Sequence, residues 1–399
     1  MKRPTRLGLI YTIGVAQGLA LVTFPAASVI FTSPKGYDFS ATRYGLMFLP
    51  QVVMAILSSS AAPRLARRWD LKRVLLLGLG GNIAAMLLLA VSRLVSTDSG
   101  AAFGVLVVAT GALGFGFGAT LMALNTLAEQ LSPGREDRAV LTLNALLGTG
   151  TALAPALVAL FAALGGWWLL PLSVAFLLVG LLFRAVKQQL QIPRDGPRGV
   201  TIAPRAGKLP HEFWLFASAV FVYGILETLN GNWATVYLVS ERGVSSQASS
   251  WALTAFWAMV TIGRVLFAAV STKVSERAIY LALPFLLAIG FLVVSRVEGE
   301  AGGLGAFGMT GLACSAFFPL SISFAGREFP ALSSLTSGEL IAFYQLGYGV
   351  AAFGSGPLRD HAGYSFSTIF AGAGALAVGM GMLSIPIVRH LPAAAWKGS

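Results

Sequence analysis

Residues 223–233 read YGILETLNGNW and put a carboxylate inside a long apolar run. Tyr223, Glu227 and Asn230 stand at i, i+4 and i+7, so on a helix they share one face. A carboxyl surrounded by hydrocarbon loses hydration of its charged form, so it can load and release a proton as its surroundings alternate between wet and dry. Two other chemistries are open to Glu227: a direct hydrogen bond to a solute hydroxyl, or an ion pair with a cationic drug. The plain structural reading is a permanently neutral or paired acid. Arg264 is the only basic residue deep within an apolar stretch. The axial gap from Arg264 to Glu227 is roughly 10 Å at 1.5 Å per residue, near the limit of an arginine's reach. Arg264 is therefore expected to pair with Glu339 or Glu328, as an inner gate or a brace.

The uncharged polar residues add a second set. Asn and Gln occur within apolar stretches at Gln17, Gln51, Asn82, Asn125, Asn144, Asn230, Asn232 and Gln345. Aromatic side chains suited to stacking on a sugar ring or an apolar drug are Tyr223, Trp233, Tyr237, Trp257, Tyr344 and Tyr348. The candidate solute contacts drawn from these are Gln17, Gln51, Asn125, Asn144, Tyr223, Asn230, Trp233, Trp257, Tyr344, Gln345 and Tyr348. The competing reading for each amide is interhelical glue, and for each aromatic it is packing. Gly231 is expected to let the helix unwind beside Glu227.

Positioning such groups takes a membrane bundle. Of the 399 residues 56% are hydrophobic and 11% charged, and the mean hydropathy is +0.76. A soluble domain carries about 25% charged residues. Twelve apolar segments follow one another, six between residues 7 and 186 and six between 213 and 388. Each reaches roughly the 20 residues that cross a hydrocarbon core. The first, MKRPTRLGLIYTIGVAQG, has a basic start like a signal peptide, but its apolar stretch is too long for one and reads as a retained span.

The net charge of +12 is a topology signal. Lys35, Arg43, Arg93, Arg242, Arg296 and Arg359 lie in odd-to-even turns; apart from Arg264, the other basic residues lie at the termini and in even-to-odd turns. The positive-inside rule places both termini in the cytoplasm, in the simplest case at a bacterial inner membrane, and no nucleic-acid partner is needed. The single cysteine, Cys314, excludes an intrachain disulfide. His211, His361 and His390 fall in loops or at span ends, so neither a metal nor a cofactor is expected.

The basic, proline-containing stretch 187–212 divides the chain into an N-terminal bundle (1–186) and a C-terminal bundle (213–399). The two resemble each other. Aligning LGFGFGATLMALNTLAEQLSP (113–133) with TGLACSAFFPLSISFAGREFP (310–330) brings Gly114 onto Gly311 and Pro133 onto Pro330. LGTGTA (147–152) matches LGYGVA (346–351) at an offset two residues larger. Repeats of this kind mark secondary transporters, with the solute site between the halves near the bilayer midplane.

On these features nearly the whole chain resembles the major facilitator superfamily. The turn PRLARRWDLKRVLL is a degenerate form of that family's signature between spans 2 and 3, with Arg67 at the usual Asp and Asp70 at a Gly. GTALAP (150–155) loosely matches an antiporter element. AFWAMVTIGRVL, CSAFFPLSIS and FYQLGYGVAAFGSGP resemble the fucose permease-like branch. The resemblance implies an all-α membrane protein of twelve transmembrane helices in two pseudo-symmetric six-helix bundles. It also implies proton-coupled movement of a small, sugar-like solute, and a monomer among membrane lipids. The acidic residue of fucose permease in span 1 is not found; Gln17 is the comparable side chain. Efflux of drugs or metabolites by proton antiport, and a non-transporting sensor, are the other readings. An enzyme is not expected, since HExxH, GxSxG and Walker motifs are missing.

Overall fold

A backbone in lipid must satisfy its own hydrogen-bonding groups, and a chain this apolar does so by forming long helices. The computed structural model describes residues 3–190, 209–270 and 273–390, so most of the 187–212 linker lies outside the described residues. The first part contains α1 (Arg3–Ala26), α2 (Ser28–Thr32), α3 (Ala41–Leu46), α4 (Leu49–Arg68), α5 (Leu71–Val91), α6 (Ser99–Leu131), α7 (Glu136–Ala163) and α8 (Leu169–Lys187). The second contains α9 (Phe213–Arg242), α10 (Ser246–Val270), α11 (Glu276–Ser295), α12 (Gly299–Cys314), α13 (Phe317–Glu328), α14 (Ser333–Asp360) and α15 (Phe366–His390). Among the described residues, eleven helical stretches are long and apolar enough to cross a membrane. α14 runs alongside them for 28 residues. Large apolar side chains such as Leu57, Val108, Phe176, Val265 and Met382 are exposed on the outside, as on a surface facing lipid.

Helix ends fall where the sequence provides caps. Ser40, Asp70, Asp98 and Ser275 accept backbone N–H groups at the starts of α3, α5, α6 and α11. Asp70 has φ 115°, a region that glycine enters freely. Gly243 ends α9 in the left-handed conformation.

Packing repeats between the two parts. α1 packs on α7, α4 on α6 and α5 on α8; correspondingly α9 packs on α14, α10 on α12 and α11 on α15. The closest approaches repeat as well. A Cβ on Gly114 would overlap the Gln51 carbonyl, and one on Gly311 the Phe256 carbonyl. Gly18 and Gly150 meet the backbones of α7 and α1, as Gly224 and Gly347 meet those of α14 and α9. These contacts correct the register of the second match. Gly150 corresponds to Gly347, at the same separation as Gly114 and Gly311, because backbone contact and not letter identity defines equivalence.

One expectation about a helix break is overturned. α9 does not unwind at Gly231 but runs unbroken from Phe213 to Arg242, and Trp257 fills the space a side chain would take. The interruption lies instead between α12 and α13, at Ser315–Ala316. Pro319 has no N–H to offer the Ser315 carbonyl four residues earlier, so that rung of the ladder is missing.

The two parts meet most tightly at the end of the bundle remote from the termini. There the backbone at Gly356 of α14 abuts Ala41 and Thr42, Gly45 abuts Ala352 and Phe353, and the Asp360 carboxylate accepts the Thr42 N–H at 2.6 Å. α7 and α10 cross farther in, at Gly148 and Thr261. At the termini end α6 and α13 make no extensive contact.

Candidate functional site

Glu227 is buried in the middle of α9, and each of its oxygens receives a tyrosine hydroxyl. Tyr223, one turn earlier, lies 2.7 Å from Oε1; Tyr344 of α14 donates to Oε2 at 2.6 Å. The Tyr223 hydroxyl is also 2.8 Å from the Cys314 carbonyl, the last of α12. That carbonyl has no partner within its own helix because of the break. Phe317 and Phe318 of α13 stack on the Tyr223 ring with centroids 5.6 and 6.0 Å away, and Phe318 also lies 5.0 Å from the Tyr344 ring. Asn230, on the same face of α9, accepts from Thr310 of α12 at 3.0 Å. The i, i+4, i+7 face is thus turned toward the broken helix.

A second cluster joins the two parts of the chain. Tyr348 Oη accepts from Gln51 Nε2 and Asn232 Nδ2, both at 3.3 Å. Gln51 Oε1, Trp257 Nε1 and Thr254 Oγ1 are buried and have no hydrogen-bond partner. Buried polar atoms are nearly always satisfied, so these orphans, one on α4 and two on α10, each call for a partner. Thr254 escaped the sequence reading. Its only signal is its position three residues before Trp257, on the same face of α10.

The remaining candidates separate from these clusters. Gln17 is fully buried, and its amide and that of Asn82 bond to each other, with Asn82 Nδ2 to Gln17 Oε1 at 2.6 Å. Trp233 is also fully buried and donates to the Ala351 carbonyl at 3.1 Å. Asn125 and Asn144 face one another at 3.5 Å across α6 and α7. Gln345 is half-buried and makes no side-chain hydrogen bond among the described residues.

The expected pairing of Arg264 with Glu339 or Glu328 is not formed. Arg264 Nε reaches the Ser315 carbonyl at 3.3 Å, the acceptor released by Pro319, and among the described residues Arg264 makes no ion pair. Glu328 Oε2 is buried without a partner. Both carbonyls freed at the α12–α13 break are therefore held by side chains of the site, one by Tyr223 and one by Arg264. Among the described residues no three His, Cys, Asp or Glu side chains gather to hold a metal.

This fold defines a class. No family model matches the chain, and no curated protein is similar to it in sequence. Among solved structures, it is similar to the nucleoside transporter NupG at 12% identity and a TM-score of 0.73, over 97% of this chain and 100% of that one. It is similar to a D-xylose-proton symporter at 14% identity and a TM-score of 0.76, over 98% and 99%. A peptide transporter, POT, in complex with sulfate gives 15% identity and a TM-score of 0.72, over 96% and 95%. The chain has the major facilitator fold of these membrane proteins.

Proposed function

We propose that the chain is a secondary active transporter, not an enzyme, and moves a small solute by alternating access with coupling to protons. Counting α14 as the twelfth span, α1–α8 and α9–α15 are its two six-helix bundles, joined by the 187–212 linker. The basic residues favour cytoplasmic termini in a plasma membrane, bacterial in the simplest case. On that orientation the packed end faces outward, and the state described is inward-facing. Residues of the fucose permease-like branch favour a sugar-like solute, and a monomer is the default.

One observation carries the coupling. A phenol has a single hydrogen, yet Tyr223 Oη lies within bonding distance of two acceptors, Glu227 Oε1 and the Cys314 carbonyl. With Glu227 ionised, one of them lacks a donor. With Glu227 protonated, its O–H donates to Tyr223, Tyr223 donates to Cys314, and Tyr344 serves Oε2, so every group is satisfied. A site completed by a proton suits a carrier that loads one. Glu227→Gln should abolish accumulation driven by a pH gradient in proteoliposomes while exchange of solute against solute persists. Unchanged gradient-driven accumulation removes Glu227 as the coupling group.

A further inference from the structure

Thr254, Trp257, Thr261 and Arg264 follow one another at i, i+3, i+7 and i+10 and form a single stripe along α10. The stripe faces inward: Trp257 lies against Gly231 of α9, and Thr261 against Gly148 of α7. Arg264 is one turn nearer the termini end than that α7 crossing. It uses Nε on the Ser315 carbonyl, and among the described residues its two Nη groups have no partner. A guanidinium presents paired donors suited to a planar carboxylate, and here both Nη prongs of that fork are free among the described residues.

We propose that the transported solute is a small hydroxylated organic anion, of the sugar-acid kind, whose carboxylate is bound by Arg264. This rests on the reading of the chain as a proton-coupled transporter. Charge balance carries the argument. The groups facing Glu227 are Tyr223 on its own helix, Tyr344 on α14 and Cys314 at the end of α12, with the Arg264 guanidinium of α10 held on the next carbonyl, that of Ser315. Arg264 is the one cation among them. In the empty site an ionised Glu227 balances it from a distance. Once Glu227 takes a proton, the half-buried Arg264 has no counter-charge among the described residues, and an unpaired cation at membrane depth is costly. A neutral sugar leaves it so, whereas a carboxylate restores balance. The hydroxyls of the solute then answer the orphans: acceptors for Trp257 Nε1 and for the hydrogen of Tyr348, and a donor for Gln51 Oε1. From Thr254 to Arg264 the stripe spans about 15 Å, enough for a six-carbon acid. A proton moving with a monoanion carries no net charge across the membrane.

The test compares matched pairs, glucose with glucuronate and galactose with galacturonate, by thermal shift and calorimetry on the purified full-length protein. Neither measurement needs a gradient. At least one acid is expected to bind and its neutral partner not to, with affinity falling roughly tenfold or more in Arg264→Gln and less in Arg264→Lys. Equal binding of the neutral sugars, binding of no acid, or unchanged affinity in a monodisperse Arg264→Gln protein overturns the proposal. In proteoliposomes, acid accumulation should follow an imposed pH gradient and ignore a potassium-diffusion potential; a response to potential alone overturns the electroneutral step. If acids bind through Arg264 but Glu227→Gln still accumulates them, proton coupling fails and anion recognition stands.

Discussion

Gln17 and Asn82 give their amides to each other, and Thr120 accepts the hydrogen of Asn82 left over. That geometry argues for a structural bond between α1 and α5 in place of the solute contact expected of Gln17. Truncating one partner strands the other, and a buried unsatisfied amide costs about 1–3 kcal/mol. Gln17→Leu and Asn82→Leu should therefore each lower unfolding stability by that order, and the double variant by clearly less than the sum, with solute affinity unchanged. A loss of affinity at full stability would return Gln17 to the site. Glu227 and its tyrosines were legible because a charge amid apolar residues is visible in any single sequence, and helical spacing then assigns its face. The fate of individual amides was not, because glue and ligand contact call for the same residue types.

At the scale of elements, glycines define the joints between helices. Gly114 and Gly311 let α6 and α12 press on carbonyls of α4 and α10. An added methyl has no room there, and overpacking of this kind costs about 1–3 kcal/mol. Gly114→Ala and Gly311→Ala should each destabilise the purified protein to that extent. Gly80→Ala, where nothing lies within 4 Å, should leave stability level or slightly raised. Equal thermal stability across all three would mean that the close approach carries no load. Eleven of the twelve expected spans were readable from hydropathy; α14 falls short of that measure among the described residues. The location of the helix break was not readable, since Gly231 and Pro319 both disrupt helices by propensity and only the neighbour decides: Trp257 seals α9, while Tyr223 and Arg264 stabilise the opening beside α13.

For the whole molecule, the two parts meet most tightly at the remote end. Gly356 has no space for a side chain against Thr42, so Gly356→Val should wedge the two parts apart there. Spin labels at Lys35→Cys and His361→Cys, both exposed near that end, should report a longer distance in the Gly356→Val variant than in its parent. The native Cys314 is buried, which favours selective labelling. An identical distance distribution would show that this seam does not hold the ends together.

The interruption between Cys314 and Phe317 gives the bundle a joint built in advance. An intact helix must rupture its own ladder to bend sharply, whereas here those bonds are already replaced by a phenol and a guanidinium from other helices. α12 stays docked on α10, while α13, only 12 residues long, leans on α14 and α9. A pivot of this short segment would work against its ties to α11, Tyr280 with Ser321 and Glu276 with Arg327, and against the two side-chain hydrogen bonds at the break, one of them made by the hydroxyl in contact with Glu227. On the proposed coupling, loading the carboxyl and bending at the break draw on the same hydroxyl.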